Sequence, residues 1–242
     1  MITNYKEIEW EGFHGIEFDF EGTPAKIIRP NCEPNGKWAY KTEYFGAFPA
    51  TELELLRRGW HLAYNQNFDR WAEPRDLERK CRFVDFVSES LSLDKKCAMV
   101  GMSCGGMYAV KLAALIPDRV SVLYLDAPVI NLLSCPCGLG RATNAIYDEY
   151  VAKTGRTVVE LLSYREHPLD KLDVLTDNGI PVILVAGDTD YVVPYNENGA
   201  LLDAHYHSCG AIIETYIKKG CGHHPHGLDD YNVVVDFIEK HS

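Results

Sequence analysis

An almost wholly apolar run, Cys97-Ala98-Met99-Val100-Gly101-Met102, leads straight into a glycine-flanked serine in Gly101-Met102-Ser103-Cys104-Gly105-Gly106. An apolar run of this length, bounded by turn residues, reads as the buried centre strand of a parallel sheet. Apolar residues then recur at helical spacing from Cys104 to Ile116 until Pro117 stops them. The chain must therefore turn from strand to helix at the serine itself. Glycines on either side let strand and helix approach without side-chain clashes. A serine held on such a strained turn projects its hydroxyl above the sheet, as a nucleophile requires. The start of the following helix favours a developing anion, towards which the Cys104 amide is expected to point. A glycine-rich turn can also bind phosphate, but neither GxGxxG nor a lysine-bearing P-loop is present.

The elements around this motif alternate. Phe13 to Phe20 and Ala25 to Ile28 read as strands joined by a turn at Glu21-Gly22-Thr23-Pro24, expected to form an antiparallel edge. Beyond residue 36, strands at 37–40, 60–64, 97–102, 120–125, 181–186 and 212–217 alternate with helices at 49–58, 74–91 and 104–116. A further helix begins near Pro194, and Tyr231 to Glu239 forms the last. This rhythm predicts a single α/β domain over residues 1–242, a mostly parallel sheet with helices on both faces. Residues 131–179 break it: no strand is evident, and Ser134-Cys135-Pro136-Cys137-Gly138 opens the stretch with turn residues. A small helical cap or lid is expected there.

Composition excludes more than it identifies. A formal net charge of −11 over 242 residues, with no basic cluster, argues against nucleic acid or an anionic membrane surface as partner. The first residues carry no basic segment followed by an apolar run, and no stretch reaches membrane-spanning length. The eight cysteines are scattered through strands, helices and loops, so free thiols and a cytoplasmic setting are expected. No cofactor is implied, and nothing in the composition argues against a homo-oligomer.

On these motifs the chain resembles the α/β-hydrolase fold over nearly its whole length, with the order Ser, acid, His. The resemblance implies an eight-stranded sheet, a Ser-His-Asp triad and an oxyanion hole built from two backbone amides. It leaves open esterases, lipases, peptidases, thioesterases and dehalogenases. Gly187-Asp188-Thr189-Asp190-Tyr191-Val192-Val193-Pro194 resembles the family's GxxDxxVP turn, which assigns the acid to Asp190. Asp188 is expected to cap the turn, and Asp126, at the end of the preceding strand, is a rival acid. The base lies in Gly222-His223-His224-Pro225-His226, where His223 follows a glycine as the family histidine commonly does, with His224 as alternative. Cys221, His223, His224 and His226 also invite a metal, but ligands so close in sequence rarely close a tetrahedral site, and none is expected.

Ser103 and Cys104 supply the nucleophile and one oxyanion amide. The second amide is expected from Lys41 or Thr42, because Tyr40 and Lys41 stand where esterases and lipases commonly carry His and Gly. The side chains of Lys41 and Glu43 are expected at the pocket rim. Tyr44, Asn65, Gln66, Asn67, Trp71, Arg141 and Tyr191 add polar and aromatic groups on loops that should face the site. Such a mixture suits a short-chain or carbohydrate-linked ester, a small molecule or an oligosaccharide. The alternatives are a peptidase or amidase on the same fold and a non-catalytic binding protein on this scaffold.

Overall fold

The computed structural model describes residues 2–242. Its strands are β1 (Lys6–Trp10), β2 (Phe13–Phe20), β3 (Thr23–Ile28), β4 (Trp38–Lys41), β5 (His61–Asn65), β6 (Cys97–Met102), β7 (Val120–Asp126), β8 (Val182–Gly187) and β9 (Ile213–Lys218). Its helices are α1 (Ala50–Arg57), α2 (Pro74–Leu91), α3 (Cys104–Leu115), α4 (Tyr147–Thr154), α5 (Val158–Ser163), α6 (Leu172–Asp177), α7 (Gly199–Cys209) and α8 (Asn232–Lys240).

All nine strands join one sheet in the order β1-β2-β3-β5-β4-β6-β7-β8-β9. The first three form an antiparallel meander that pairs antiparallel with β5, and every pairing from β5 to β9 is parallel. Strands β6 and β8 are buried at every position, as befits a sheet covered on both faces. On one face Leu55 and Leu56 of α1 pack with Val234, Val235, Phe237 and Ile238 of α8. On the other, α2, α3, α6 and α7 enclose the larger core, which includes Phe83, Met107, Leu175 and Leu202. The fold is the α/β-hydrolase fold.

One strand more is present than that resemblance implies. The extra one is β1, a five-residue edge strand with only Ile8 and Trp10 turned to the core, a run too short to stand out as β2 does. Residues 131–179 hold the helices α4, α5 and α6. Helix α6 packs on α3 and buries Leu172 and Leu175, which makes it the crossover between β7 and β8. Ile146, just before α4, reaches the serine pocket. Among the described residues no helix is long and apolar enough to cross a membrane.

Because the central strands run parallel, their carboxyl ends open on one side, and the loops there carry the chemistry. Two of those loops must nearly touch. A Cβ on Gly187, at the end of β8, would collide with the carbonyl oxygens of Cys221 and Gly222, the latter at 2.5 Å. Gly187→Ala is therefore expected to push the loop carrying His223 outward. The rate of fluorophosphonate labelling should fall at least tenfold in a protein whose far-ultraviolet circular dichroism is unchanged.

Candidate active site

Ser103 forms the N-cap of α3 with φ +52° and ψ −121°, a strained conformation for a residue with a Cβ. Three hydrogen bonds pin it. Its amide donates to the Asp126 carbonyl at 2.9 Å, and its own carbonyl accepts from Gly106 and Val129, each at 3.0 Å. The glycines make the turn sterically feasible. A Cβ on Gly101 would lie 2.6 Å from the Gly105 carbonyl oxygen, and one on Gly106 would lie 2.7 Å from Pro128 Cα.

The structure brings Ser103, His223 and Asp190 together. His223 Nε2 is 3.1 Å from Ser103 Oγ, and His223 Nδ1 is 2.8 Å from Asp190 Oδ2. An ionised Asp190 accepts the Nδ1 proton and so leaves Nε2 free to accept from the serine hydroxyl. Burial pushes the Asp190 carboxyl upward. The hydrogen bond and charge of His223, with the Val193 and Val192 amides on Oδ1, outweigh that and hold it below its ordinary value.

The rival residues have other partners. Asp188 accepts the Gly220 amide at 2.7 Å and ties the acid loop to the turn after β9. Asp126 binds His226 Nδ1 at 2.7 Å and the Gly227 amide at 2.6 Å, forming a second histidine–carboxylate pair beside the first. His224 is exposed and stacks on Phe48, with ring centroids 5.5 Å apart.

Several expected substrate contacts lie elsewhere. Lys41 is the last residue of β4, inside the sheet, and its side chain is 1% exposed. Its Nζ pairs with Glu52 of α1 at 2.5 Å, below the pocket and not on its rim, because the pleat directs it into the sheet face that α1 covers. The Thr42 amide is spent on the Val100 carbonyl at 3.1 Å. The Thr42 amide is thereby occupied, and the Lys41 side chain stays beneath the pocket. Glu43 turns inward towards Lys80 and Asp76; burial pushes its carboxyl up and the Lys80 amine down, and the attraction between them opposes both shifts. Asn65, Asn67 and Trp71 are buried packing residues, with Asn65 bonded to Tyr40 and Lys80, and Gln66 lies exposed. Tyr191 is 53% exposed and lies with Arg141 against the far side of the acid loop.

Tyr44 does line the serine pocket, and Cys104 does stand at the start of α3, where the first amide has no partner within the helix. Tyr44, Cys104 and Arg70 share the lining of this pocket. The pocket has a volume of about 390 Å³, and its apolar walls include Phe48, Met102, Ile146 and Val192. Arg70 brings its fixed positive charge, and its Nε pairs with Glu149 at 3.0 Å. Sequence reasoning passed over Arg70 and Phe48, because neither belongs to a motif and only the folded loops place them at the serine.

A strained serine relayed through histidine to a buried carboxylate, at the carboxyl edge of a parallel sheet, defines a serine hydrolase of the α/β-hydrolase fold. The prolyl oligopeptidase family profile matches residues 64–242, and the chain belongs to that family. A comparison with curated proteins returns no match. Among solved structures, a puromycin-hydrolyzing peptidase of Mycobacterium tuberculosis is similar at TM-score 0.74 and 14% identity, covering 94% of this chain and 38% of that one. The acylaminoacyl peptidase of Pyrococcus horikoshii is similar at TM-score 0.72 and 14% identity, covering 95% of this chain and 42% of that one. Est1E from Butyrivibrio proteoclasticus gives TM-score 0.62 and 17% identity, with 98% of this chain and 97% of that one covered. The chain thus spans about two fifths of the length of the two peptidases.

Two expectations follow from the geometry. Because the Asp190 carboxyl is held low, its contribution to stability is present above the ordinary aspartate value, about 3.9, and is lost as pH falls through the lower folded value. Urea unfolding of wild type and Asp190→Asn should therefore differ near neutrality and converge below about pH 4. Lys41→Met should lower the unfolding free energy by about 3–5 kcal/mol, because it leaves Glu52 buried without a partner.

Proposed function

We propose that this serine hydrolase cleaves carboxylic esters, short-chain or carbohydrate-linked, through an acyl-enzyme on Ser103. The observation that carries the reading is the Ser103–His223–Asp190 relay opening into a pocket of about 390 Å³, large enough for a small acyl or sugar group. In the first step His223 takes the serine proton as Oγ attacks the carbonyl carbon, and Asp190 steadies the imidazolium. The Cys104 amide and the Tyr44 hydroxyl receive the oxyanion; Tyr44 replaces the amide expected from Lys41 or Thr42. Protonated His223 then gives its proton to the departing alcohol. Water, deprotonated by the same imidazole, attacks the acyl-enzyme and releases the acid.

The pocket wall carries the Arg70 guanidinium, paired with Glu149, and the Tyr44 side chain. Those polar groups suit a substrate with hydroxyl groups. Peptide or amide hydrolysis is the second reading, favoured by membership of the prolyl oligopeptidase family and by the peptidases among the similar structures.

Matched substrates separate the two: p-nitrophenyl esters and p-nitroanilides of the same acyl groups, with acetylated sugars alongside. Ester and sugar-ester turnover that disappears in Ser103→Ala, without anilide turnover, is the expected result. Anilide turnover of comparable kcat/KM would sink the ester reading. Tyr44→Phe should lower kcat by about 10- to 1000-fold with KM little changed, the signature of a donor used in the transition state.

A further inference from the structure

His223, His224 and His226 form a compact imidazole triangle at the mouth of the pocket. One ring nitrogen of each lies within 4.8 Å of the other two, and the ring centroids are 4.8 to 5.0 Å apart. Two of these histidines are held in the manner of metal ligands. His223 gives Nδ1 to Asp190 and His226 gives Nδ1 to Asp126, at 2.8 and 2.7 Å, and both carboxylates are no more than 2% exposed. A ligating histidine characteristically gives its other nitrogen to such a carboxylate, which fixes the tautomer and makes the free nitrogen more basic. The Nε2 atoms of His223 and His226 are those free nitrogens.

The surroundings hold the triangle in place. Phe48 packs on both His224 and His226, with ring centroids 5.5 and 5.2 Å away. Lys218 Nζ donates to the carbonyls of Pro225 and Gly227 and so clamps the loop behind the rings. His224 is exposed, with its ring between Phe48 and the other two imidazoles.

We propose that the three imidazoles bind a divalent zinc-class ion, which switches the hydrolase off reversibly. Three histidines with an open fourth position suit zinc, and imidazole also suits copper and nickel but not magnesium or calcium. Two nitrogens on a tetrahedral zinc lie about 3.4 Å apart, against the 4.8 Å within which one ring nitrogen of each histidine already lies. The ion occupies the Nε2 lone pair of His223 that otherwise takes the proton of Ser103. The serine hydroxyl, 3.1 Å from that nitrogen, then has no base. The metal here is an effector that competes with the proton, not a participant in hydrolysis. The inhibition rests on the serine-hydrolase reading above, whereas binding of the ion does not.

Two arms keep these apart. Isothermal titration of Ser103→Ala with zinc chloride is expected to show one site, weakened at least tenfold when His224→Ala is added and again with His226→Ala. Fluorophosphonate labelling of the wild type should slow with zinc, recover with EDTA and ignore magnesium. Within His224→Ala, the ratio of labelling with and without zinc should move towards one. Zinc binding left unchanged by both histidine substitutions would overturn the site. Tight binding that leaves labelling at full rate would overturn the switch, and absent labelling without zinc would instead count against the serine reading.

Discussion

The close approach of α3 to the end of β6 is the constraint on which the site depends. Ser103 sits at φ +52° between them, at a cost of about 1–3 kcal/mol for such a conformation in a residue other than glycine. Gly101, Gly105 and Gly106 leave room for it. Beyond Gly101 and Gly106, Gly105 has the Glu43 Cβ only 3.1 Å from where its own Cβ would be. Hydrogen bonds to Asp126, Gly106 and Val129 offset the strain and bind the turn to the neighbouring strand β7. The strain at Ser103 is therefore met from β7, from α3 and from the loop that follows β7.

The acid and base loops depend on one another in the same way. The Thr189 amide donates to the Cys221 carbonyl at 3.0 Å, Asp188 receives the Gly220 amide, and Gly187 admits the Cys221 backbone where any Cβ would exclude it. Loops that follow β8 and β9 thus behave as one body, which fixes the distance from Asp190 to His223. The same adjacency creates the second pair, because Asp126 ends β7 next to β8 and meets His226 from the same loop. Two buried carboxylates facing two histidines of one loop explain why Asp126 resembles a triad acid in sequence. Only the reach of its partner to Ser103 separates the two roles.

Ser103, Asp190 and His223 could be singled out because each sits at a strand end with turn residues around it, and strand ends are what apolar runs mark best. The register of β6 with β7 and of β8 with β9 then does the rest. Lys41 shows where such reasoning stops: its position after a strand was legible, but the pleat that sends its side chain down to Glu52 was not. Glu43 and Tyr44 are adjacent in the chain, yet one turns into the protein and the other lines the pocket. Tyr44 has φ +55°, a backbone choice that no local pattern announces. Arg70 and Phe48 reach the serine from loops more than thirty positions away in the chain, so their role exists only after β4, β5 and β6 have paired.

The walls of the pocket stand on buried charge. Asp76, at the start of α2, accepts the amides of Phe68 and Asp69 and the Tyr108 hydroxyl on Oδ2, while Oδ1 takes Arg79 at 2.5 Å. These bonds hold the loop that carries Arg70. Lys41 and Glu52 do the same beneath the 42–49 loop, where Lys41 also reaches the Ala47 carbonyl at 3.4 Å. Buried ion pairs contribute little net stability over an apolar core of equal volume, but losing one partner is costly, so they hold one arrangement against its alternatives. Arg70 and Tyr44 thereby line the pocket on loops already fixed from below. Preorganised donors of that kind need little reorganisation as charge develops in the transition state. The buried charge beneath the pocket thus fixes the shape its walls present.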